Sequence, residues 1–522
     1  MTTAAASVAD LRLVPPPSER LRAPSDRPQL LHTTRAPFTG EPLAELTLTS
    51  PAGVTAAFAV AREAQRAWAA RSLADRAAVF LRFHDLVLTR QSEVLDLIQL
   101  ETGKARKHAF EEVADVAIVA RHYARSARRH LRTRRRRGIF PVATRADELR
   151  HPKGVVGIVS PWNYPLTLAV SDAVPAFIAG NAVVLKPDTQ TALTALWARR
   201  TLVEAGLPEA LWQIVLGDGP VIGPAVVEQA DYVSFTGSTA VGRRIAEQCA
   251  ARLVGCSLEL GGKNAFIVLD DAPLDRAAEA AVRACFSSAG QLCISMERLL
   301  VSEDVYDAFL DRFLQRVRAM RLGAGLDFSA DMGSLASEQQ LETVRRHVDD
   351  ARAKGATVLT GGRHRPDIGP LFYEPTVLTG VTPDMAVCAD ETFGPVVSVS
   401  PFRADDEAVA RANDSVFGLN AAVWTSNLAR GRRIAAAIQA GTVNVNEAYG
   451  AAWGSADAPM GGMKNSGLGR RHGAEGVLKY TEAQTIATQR FLGLGAPPRV
   501  SDEQWTRILT GALRAMKVTG LR

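Results

Sequence analysis

Apolar residues recur at helical intervals between residues 50 and 131. In the stretch SPAGVTAAFAVAREAQRAWA, Ser50 is a predicted N-cap and Pro51 suits the first turn of a helix. The apolar positions of one face are Val54, Phe58, Ala61 and Trp68. The pattern predicts that regular structure begins near Ser50 and that helices follow to about residue 131.

From residue 151 short β-branched runs alternate with helical stretches. The runs are GVVGIVSPW, NAVVLKP, WQIVLGD and DYVSFTG, and the helix in TALTALWARRTLVEAG is predicted to end at Gly206. A second alternating region begins at NAFIVLDD and continues to about residue 470, with ATVLTGG and GTVNVNE as strands. The pattern predicts an α/β protein of two doubly wound domains with parallel sheets, and a cleft between them is the expected place for a site.

Composition narrows the class of protein. A chain of 522 residues with 47% hydrophobic and 22% charged residues is typical of a soluble multidomain protein. The five cysteines form no C-x-x-C pair and no metal-ligand spacing, which predicts free thiols, no metal and a reducing compartment. The N-terminus lacks the apolar core of a secretory signal, and no apolar run reaches the ~20 residues of a membrane span. A cytoplasmic location is expected.

The net charge of +6 comes from one segment of the chain. Residues 121–150 hold eleven arginines against Asp147 and Glu148, a net of +9, so the remaining residues sum to −3. The run Arg134 to Arg137 could bind nucleic acid or another anionic surface, but no aromatic residues are interleaved with it. A subunit contact or a solvated face is favoured, and no nucleic-acid partner is expected.

Four segments carry residue types suited to catalysis. Cys293 lies among small and polar residues in SAGQLCISMER, where neither a structural nor a metal-binding cysteine is expected. Glu259 in SLELGGKN is either a partly desolvated base or a solvent-facing strand residue, and Asn163 in PWNYP is either an oxyanion donor or part of a rigid loop. The turn with Gly237, Ser238 and Gly242 could bind a phosphate at a helix N-terminus, although its spacing is not G-x-G-x-x-G.

Six ordered segments together resemble the aldehyde dehydrogenase superfamily over roughly residues 36 to 490. They are PWNYP, NAVVLKP, FTGSTAVGR, LELGGKN, GQLCIS and ETFGPV. The resemblance implies that Cys293 attacks an aldehyde carbon, that Asn163 and the Cys293 backbone N–H hold the oxyanion, and that Glu259 activates water to hydrolyse the thioester.

The same resemblance implies a nicotinamide cofactor. Lys186 matches a lysine near the adenosine ribose, and Glu391 and Phe393 match contacts to the nicotinamide ribose. The other residues in cofactor segments are Trp162, Gly237, Ser238 and Gly242. Where NAD-preferring members often carry glutamate, this chain has Thr189, which tolerates a 2′-phosphate. NADP is therefore expected, with NAD as the alternative.

Longer stretches, such as PWNYPLTLAVSDAVPA and CFSSAGQLCIS, are similar to bacterial NADP-linked succinate-semialdehyde dehydrogenases and imply that substrate. Ser171 and Ser287, however, replace two arginines that hold the substrate carboxylate in better-known enzymes of this type. The substrate contacts expected instead are Ser287, Ser295, Trp453 and Ser455. Aromatic or medium-chain aldehydes are the alternative, and a CoA-acylating enzyme is less favoured because Glu259 is present.

The predicted organisation has five parts. They are an N-terminal extension (1–35), a cofactor-binding domain (36–131 and 152–262), a catalytic domain (263–472), an arm (132–151 and 473–495) and an amphipathic tail (496–522). The resemblance implies that the arm joins subunits in a homodimer or homotetramer. Ser501 is a predicted cap for the tail, whose apolar face is Trp505, Ile508, Leu509, Ala512, Leu513 and Met516. Packing on protein is favoured over contact with a membrane surface.

Overall fold

The computed structural model describes residues 30–139, 143–491 and 493–519. Most of the predicted N-terminal extension lies outside these ranges. Its last residues form the strand Leu31–Arg35, which pairs antiparallel with Pro42–Thr47. Regular structure thus begins before Ser50, because a turn closed by the Ala36 N–H and the Glu41 carbonyl (2.8 Å) joins two short strands. The prediction that it begins near Ser50 was wrong.

The first predicted helix is confirmed in detail. Ser50 Oγ accepts a hydrogen bond from the Gly53 N–H (3.2 Å), and Val54, Phe58 and Trp68 are buried. The helices of the first lobe, in chain order, are Pro51–Ala69, Leu73–Thr89, Gln91–Thr102, Arg106–Leu131, Pro165–Val170, Ala173–Ile178, Ala192–Glu204, Gly219–Gln229, Thr239–Ala251 and Gly473–Leu478.

These helices cover a six-stranded sheet. Its spatial order is Gly467–Leu468, Gly255–Glu259, Tyr232–Thr236, Val155–Val159, Ala182–Lys186 and Trp212–Ile214. All neighbours are parallel except the first pair. The strand order reverses between Val155–Val159 and Tyr232–Thr236, and such a switch point opens a crevice at the carboxyl ends of the strands. The residues that come after these two strands include Trp162 and Gly237.

The second lobe contains a seven-stranded sheet. Its order is Thr357–Thr360, Thr376–Thr379, Val396–Phe402, Met296–Ser302, Asn264–Val268, Asn420–Trp424 and Thr442–Val445, and only the first pair is antiparallel. The accompanying helices are Leu274–Phe286, Tyr306–Arg318, Glu338–Ala353, Ala386–Ala389, Asp405–Asn413, Leu428–Ala437 and Gly450–Trp453. Glu303–Val305 is a short 3₁₀ helix of this lobe, and two others, Thr189–Thr191 and Glu209–Leu211, belong to the first lobe. Ser287–Gly290 forms a turn whose backbone is partly left-handed. Phe417–Gly418 and Met463–Lys464 form a small antiparallel pair.

A third sheet of three antiparallel strands lies within the ranges assigned to the arm. Its order is Thr481–Gln489, Thr144–Pro152 and Arg134–Arg137. Within the arginine run, Arg136 pairs with Glu148 on the adjacent strand (2.6 Å). The residues before Thr481 differ from the expectation: Val477 and Tyr480 are buried in the core of the first lobe, so this part of the chain packs with the helices.

The last described element is the helix Asp502–Thr519. Ser501 Oγ accepts from the Gln504 N–H (3.2 Å), and the Trp505 indole donates to the Leu494 carbonyl (2.8 Å). Ile508 and Leu513 on the same helix are exposed. Within residues 30–139, 143–491 and 493–519, no helix has the length and apolar character needed to span a bilayer.

Candidate active site

Two cavities meet at Cys293. One, the switch-point cavity, has a volume of ≈ 250 Å³ and is lined by residues that include Trp162, Gly237, Glu259 and Phe393. The other, the inner cavity, measures ≈ 40 Å³ and lies beside Tyr449, Trp453, Met460 and Arg471. Cys293 and Asn163 line both cavities. Cys293 and Asn163 therefore lie where the two cavities adjoin.

The loop that carries Cys293 begins with an unusual backbone. Ser288, Ala289 and Gly290 all have positive φ, at 53°, 56° and 71°. A Cβ on Gly290 would lie 2.1 Å from the Gly394 carbonyl oxygen, so only glycine allows this approach. The close contact brings the Cys293 loop against the segment that contains Glu391 and Phe393.

Two asparagine side chains hold this loop by hydrogen bonds to its backbone carbonyls. Asn264 Nδ2 donates to the carbonyls of Cys293 (2.8 Å) and Ser295 (2.7 Å), and Asn420 Nδ2 donates to the Ile294 carbonyl (3.0 Å). Both asparagines begin buried strands of the second sheet. Sequence reasoning did not identify them, although a polar residue at the start of an apolar strand was a usable signal. Fixing three successive carbonyls also fixes the orientation of the loop.

Asn163 is held by a buried ion pair between Lys104 and Glu112. Lys104 Nζ donates to the Asn163 carbonyl (2.6 Å) and to Glu112 (2.7 Å), and both charged side chains are fully buried. Glu112 also accepts from the N–H groups of Leu166 (2.8 Å) and Thr167 (3.1 Å). Asn163 Nδ2 donates one hydrogen to the Gln291 carbonyl (3.1 Å). An amide nitrogen carries two hydrogens, so a second remains for an oxyanion.

Glu259 ends a strand of the first sheet and is buried. Its Oε1 atom finds no hydrogen-bond partner in the part of the chain that the structure describes. Burial raises the pKa of Glu259 to about 7, against the opposing effect of Arg471 and Lys479. A carboxyl with a pKa in this range can act as a general base near neutral pH.

The Cys293 thiol is protonated in this state of the protein. Burial, followed by the nearby carboxylates of Glu391 and Glu259, raises the pKa of Cys293 to about 12. Removal of negative charge or the arrival of positive charge would be needed to favour the thiolate.

Glu259 lies near a cluster of charged residues that sequence reasoning did not identify. Arg471, Lys479 and the Tyr480 hydroxyl all bond to Asp172. The second arginine of the segment GRRHG was the available signal for this cluster.

The predicted cofactor residues lie along the carboxyl edge of the first sheet. Trp162 and Phe393 meet edge to face (5.6 Å between ring centroids), and Glu391 Oε1 accepts from the Gly262 N–H (2.8 Å). Ser238 caps the helix Thr239–Ala251, although its contact with the Val241 N–H is long (3.5 Å). Gly242 lets this helix approach Leu260, because a Cβ there would lie 2.5 Å from a Leu260 methyl group.

Lys186 and Thr189 lie at the end of the neighbouring strand Ala182–Lys186 and just beyond it. Lys186 Nζ donates to the Pro187 carbonyl (3.2 Å), and the Thr189 hydroxyl donates to the Gly217 carbonyl (3.3 Å). Both side chains are buried and lie beyond the walls of the switch-point cavity. The edge as a whole, with a helix N-terminus and an open crevice, fits an extended nucleotide.

The structure separates the predicted substrate residues. Of the four predicted substrate residues, only Trp453 lines the inner cavity. Ser287 accepts from the Tyr449 hydroxyl (2.7 Å) and donates to the Arg283 carbonyl (2.7 Å), and Ser295 donates to the Ala284 carbonyl (3.1 Å).

Ser455 donates to the Ala451 carbonyl (2.7 Å) at the surface. Each of the three hydroxyls is therefore used in local structure, and none of the three serines is among the residues that line the two cavities at Cys293.

Comparisons with known proteins place this site in context. The model of the aldehyde dehydrogenase family matches residues 25–486. A protein of Mycolicibacterium smegmatis, provisionally named an NADP(+) succinate-semialdehyde dehydrogenase, is 55% identical over 480 residues, which cover 92% of this chain and 93% of that protein.

Two solved structures are also similar. An NAD-dependent aldehyde dehydrogenase from Sinorhizobium meliloti gives a TM-score of 0.86 at 36% identity, with 90% of this chain and 93% of that chain covered. An NADP-dependent enzyme from E. coli gives a TM-score of 0.84 at 33% identity, with 88% of this chain and 95% of that chain covered. The predicted α/β fold class and the family resemblance are confirmed.

Asn264→Leu tests the support of the Cys293 loop. The change leaves two buried carbonyls without their donor, at a cost of ~1–3 kcal/mol each. Because the loop would then move relative to Asn163, we expect kcat to fall about 10- to 100-fold.

Asn427→Ala is the matched control. It removes the N-cap of the helix Leu428–Ala437 and should cost about 1 kcal/mol without changing kcat. Thermal unfolding and steady-state rates measured on both variants separate the two effects. Equal kcat in the wild type and Asn264→Leu would contradict the role given to Asn264.

The pH profile tests Glu259. A carboxyl acts as a base only when ionised, so kcat should rise with pH through about 7 and level off above it. Glu259→Gln should lose this rise together with most of the activity. A wild-type kcat that stays constant between about pH 6 and pH 8 would contradict this assignment.

Proposed function

The chain belongs to the aldehyde dehydrogenase family, and from that membership we propose that its site oxidises succinate semialdehyde to succinate with NADP. The observation that carries the proposal is the position of Cys293 and Asn163 on the shared wall of two cavities. A substrate in one cavity and a nucleotide in the other would then both lie against Cys293. The family, whose members oxidise aldehydes to carboxylic acids, supplies the reaction class.

In the proposed mechanism the Cys293 thiol loses its proton to solvent, and the thiolate Sγ then bonds to the aldehyde carbon while the C=O π electrons move to oxygen. The oxyanion that forms would be stabilised by the free hydrogen of Asn163 Nδ2 and by the Cys293 backbone N–H. NADP held at the switch-point edge would supply the hydride acceptor, and loss of hydride from this carbon would leave a thioester on Cys293. Glu259 then takes a proton from the water that attacks the thioester, and the carboxylic acid and the thiol are released.

The residues proposed to hold the nucleotide are those on the switch-point edge. Trp162, Gly237, Glu391 and Phe393 would surround the reactive end, while Lys186 and Thr189 would lie toward the adenosine end. The protonated thiol of the free protein fits a site that becomes reactive only after loading. A bound cofactor with a positively charged ring would favour the thiolate at Cys293.

Two observations bear on the alternatives. An inner cavity of ≈ 40 Å³ suits a short aldehyde better than an aromatic or medium-chain one. Glu259, buried beside the thiol, supports hydrolysis over transfer of the acyl group to CoA. The name of the relative at 55% identity agrees with succinate semialdehyde and NADP.

We further propose that the arm joins copies of the chain in a homodimer or homotetramer. Its outer strand, Thr481–Gln489, is exposed along most of its length, and an unpaired strand edge is a surface that proteins usually cover. A cytoplasmic location stays a prediction, supported by the five unpaired cysteines.

Initial rates test the proposed substrate and cofactor. NADP and NAD would each be combined with succinate semialdehyde, benzaldehyde and octanal, in the absence of CoA. Succinate semialdehyde with NADP should give the highest kcat/KM, and Cys293→Ala should be inactive. A preference of about tenfold or more for either uncharged aldehyde would refute the proposed substrate while leaving the mechanism.

Light scattering after size exclusion tests the assembly. The expected mass is two or four times the 55.9 kDa of the chain. Deleting residues 134–137 and 144–151 together should shift the mass toward one chain, because the arm sheet is lost. A wild-type protein that elutes as a monomer at micromolar concentration would refute the role given to the arm.

A further inference from the structure

The proposed substrate ends in a carboxylate, and the site must pair that charge when it is taken out of water. The serines predicted for this purpose make other bonds. The manner in which the site recognises this carboxylate can be inferred from the cavity wall, and the inference rests on the proposed function. Among the described residues that line the inner cavity, Arg471 alone carries a positive charge.

Arg471 is buried and only partly engaged. Its Nη2 atom bonds to Asp172 and makes a longer contact with Thr236 Oγ1 (3.4 Å). Its Nε atom, although buried, has no hydrogen-bond partner in the described part of the chain. A guanidinium has five donors, and an unused one in a buried position is costly unless a ligand completes it.

The charges around Arg471 do not balance within the protein. Asp172 is shared with Lys479 (3.1 Å), so two cations face one carboxylate. Burial alone would raise the pKa of Asp172, but these two cations hold that pKa well below its usual range. Asp172 therefore stays ionised. Glu259, with its pKa of about 7, supplies a second negative charge for only part of the time near neutral pH.

The remaining wall of the inner cavity offers no competing cation among the residues that the structure describes. Leu168, Leu292 and Met460 are apolar, and the Glu111 carboxylate already accepts from Tyr164 (3.0 Å). A short chain attached to Cys293 within a cavity of this size would place its far end near the cavity wall. We propose that Arg471 binds the distal carboxylate of the substrate and thereby sets the preference for acidic short-chain aldehydes.

Three cations, Lys107, Arg276 and Arg283, line an outer cavity of ≈ 530 Å³, which shares Glu111 with the inner one. The rival cation is Arg283, because it contacts Tyr449 of the inner cavity wall. Its side chain is about half exposed, pairs with Glu447 and lies over the Tyr449 ring (5.6 Å). An exposed, paired guanidinium binds a carboxylate more weakly than a buried one with a free donor.

The test compares Arg471→Met with Arg283→Met as the matched control. For each protein, kcat/KM is measured with NADP for succinate semialdehyde and for butanal, an uncharged aldehyde with the same number of carbons. The ratio of the two values should fall about 100-fold in Arg471→Met, chiefly through KM for the acid, and change less than about threefold in Arg283→Met.

Arg471→Lys is the second variant. It keeps a charge next to Asp172, so it should fold even where the methionine variant does not, and its ratio should fall by about tenfold because the fork of donors is lost. Butanal turnover and the thermal midpoint show that each variant is folded.

Each result decides a different claim. Arg471 variants that lose activity equally with both aldehydes and shift the pH profile would show that Arg471 acts through Glu259, and the inference would be refuted. A ratio that falls in Arg283→Met alone would assign the carboxylate to the outer cavity and refute it too. A wild type that does not prefer succinate semialdehyde would refute the proposed function itself.

Discussion

The hydrogen bonds from the side chain of Asn264 to the carbonyls of Cys293 and Ser295 are the contacts on which the site depends. Asn264 begins a buried strand, so its two hydrogen bonds attach an otherwise irregular loop to the second sheet. The Gly290 contact with Gly394 and the Asn163 bond to Gln291 then attach two further segments to the same loop. Cys293, Asn163 and the segment that contains Phe393 are thereby held in one arrangement, which is the one that the proposed mechanism requires.

Burial gives this arrangement its chemical character. It raises the pKa of Cys293 and of Glu259, so a protonated thiol lies near a carboxyl group that titrates close to neutral pH. The same burial makes the charges of Arg471, Lys479 and Asp172 strong local influences.

Much of the fold was predictable because the signals are local. Strands such as Val155–Val159, covered on both faces, read as continuous apolar runs, and Ser50 and Ser501 occur where helix caps were expected. The strand Leu31–Arg35 was missed because a short, half-exposed strand has no strong apolar pattern.

The site was predictable only in part. The motifs around Cys293, Glu259 and Asn163 predicted the reacting groups, and that assignment stays a prediction. The contacts that position these residues join parts far apart in the chain. Asn264 and Asn420 are 156 positions apart, and the amide of one meets the backbone of the other (3.0 Å). Which way a serine hydroxyl points also depends on packing, so Ser295 was predicted as a substrate contact when it faces the Ala284 carbonyl.

The most direct measurement is a rapid-quench experiment on Glu259→Gln with succinate semialdehyde and NADP. Reduced cofactor would be followed by absorbance, and the quenched protein would be digested and mapped by mass spectrometry. We predict a burst of one reduced cofactor per chain and a succinyl thioester on Cys293. Continued turnover without an acyl group, or an acyl group on another cysteine, would contradict the proposed mechanism.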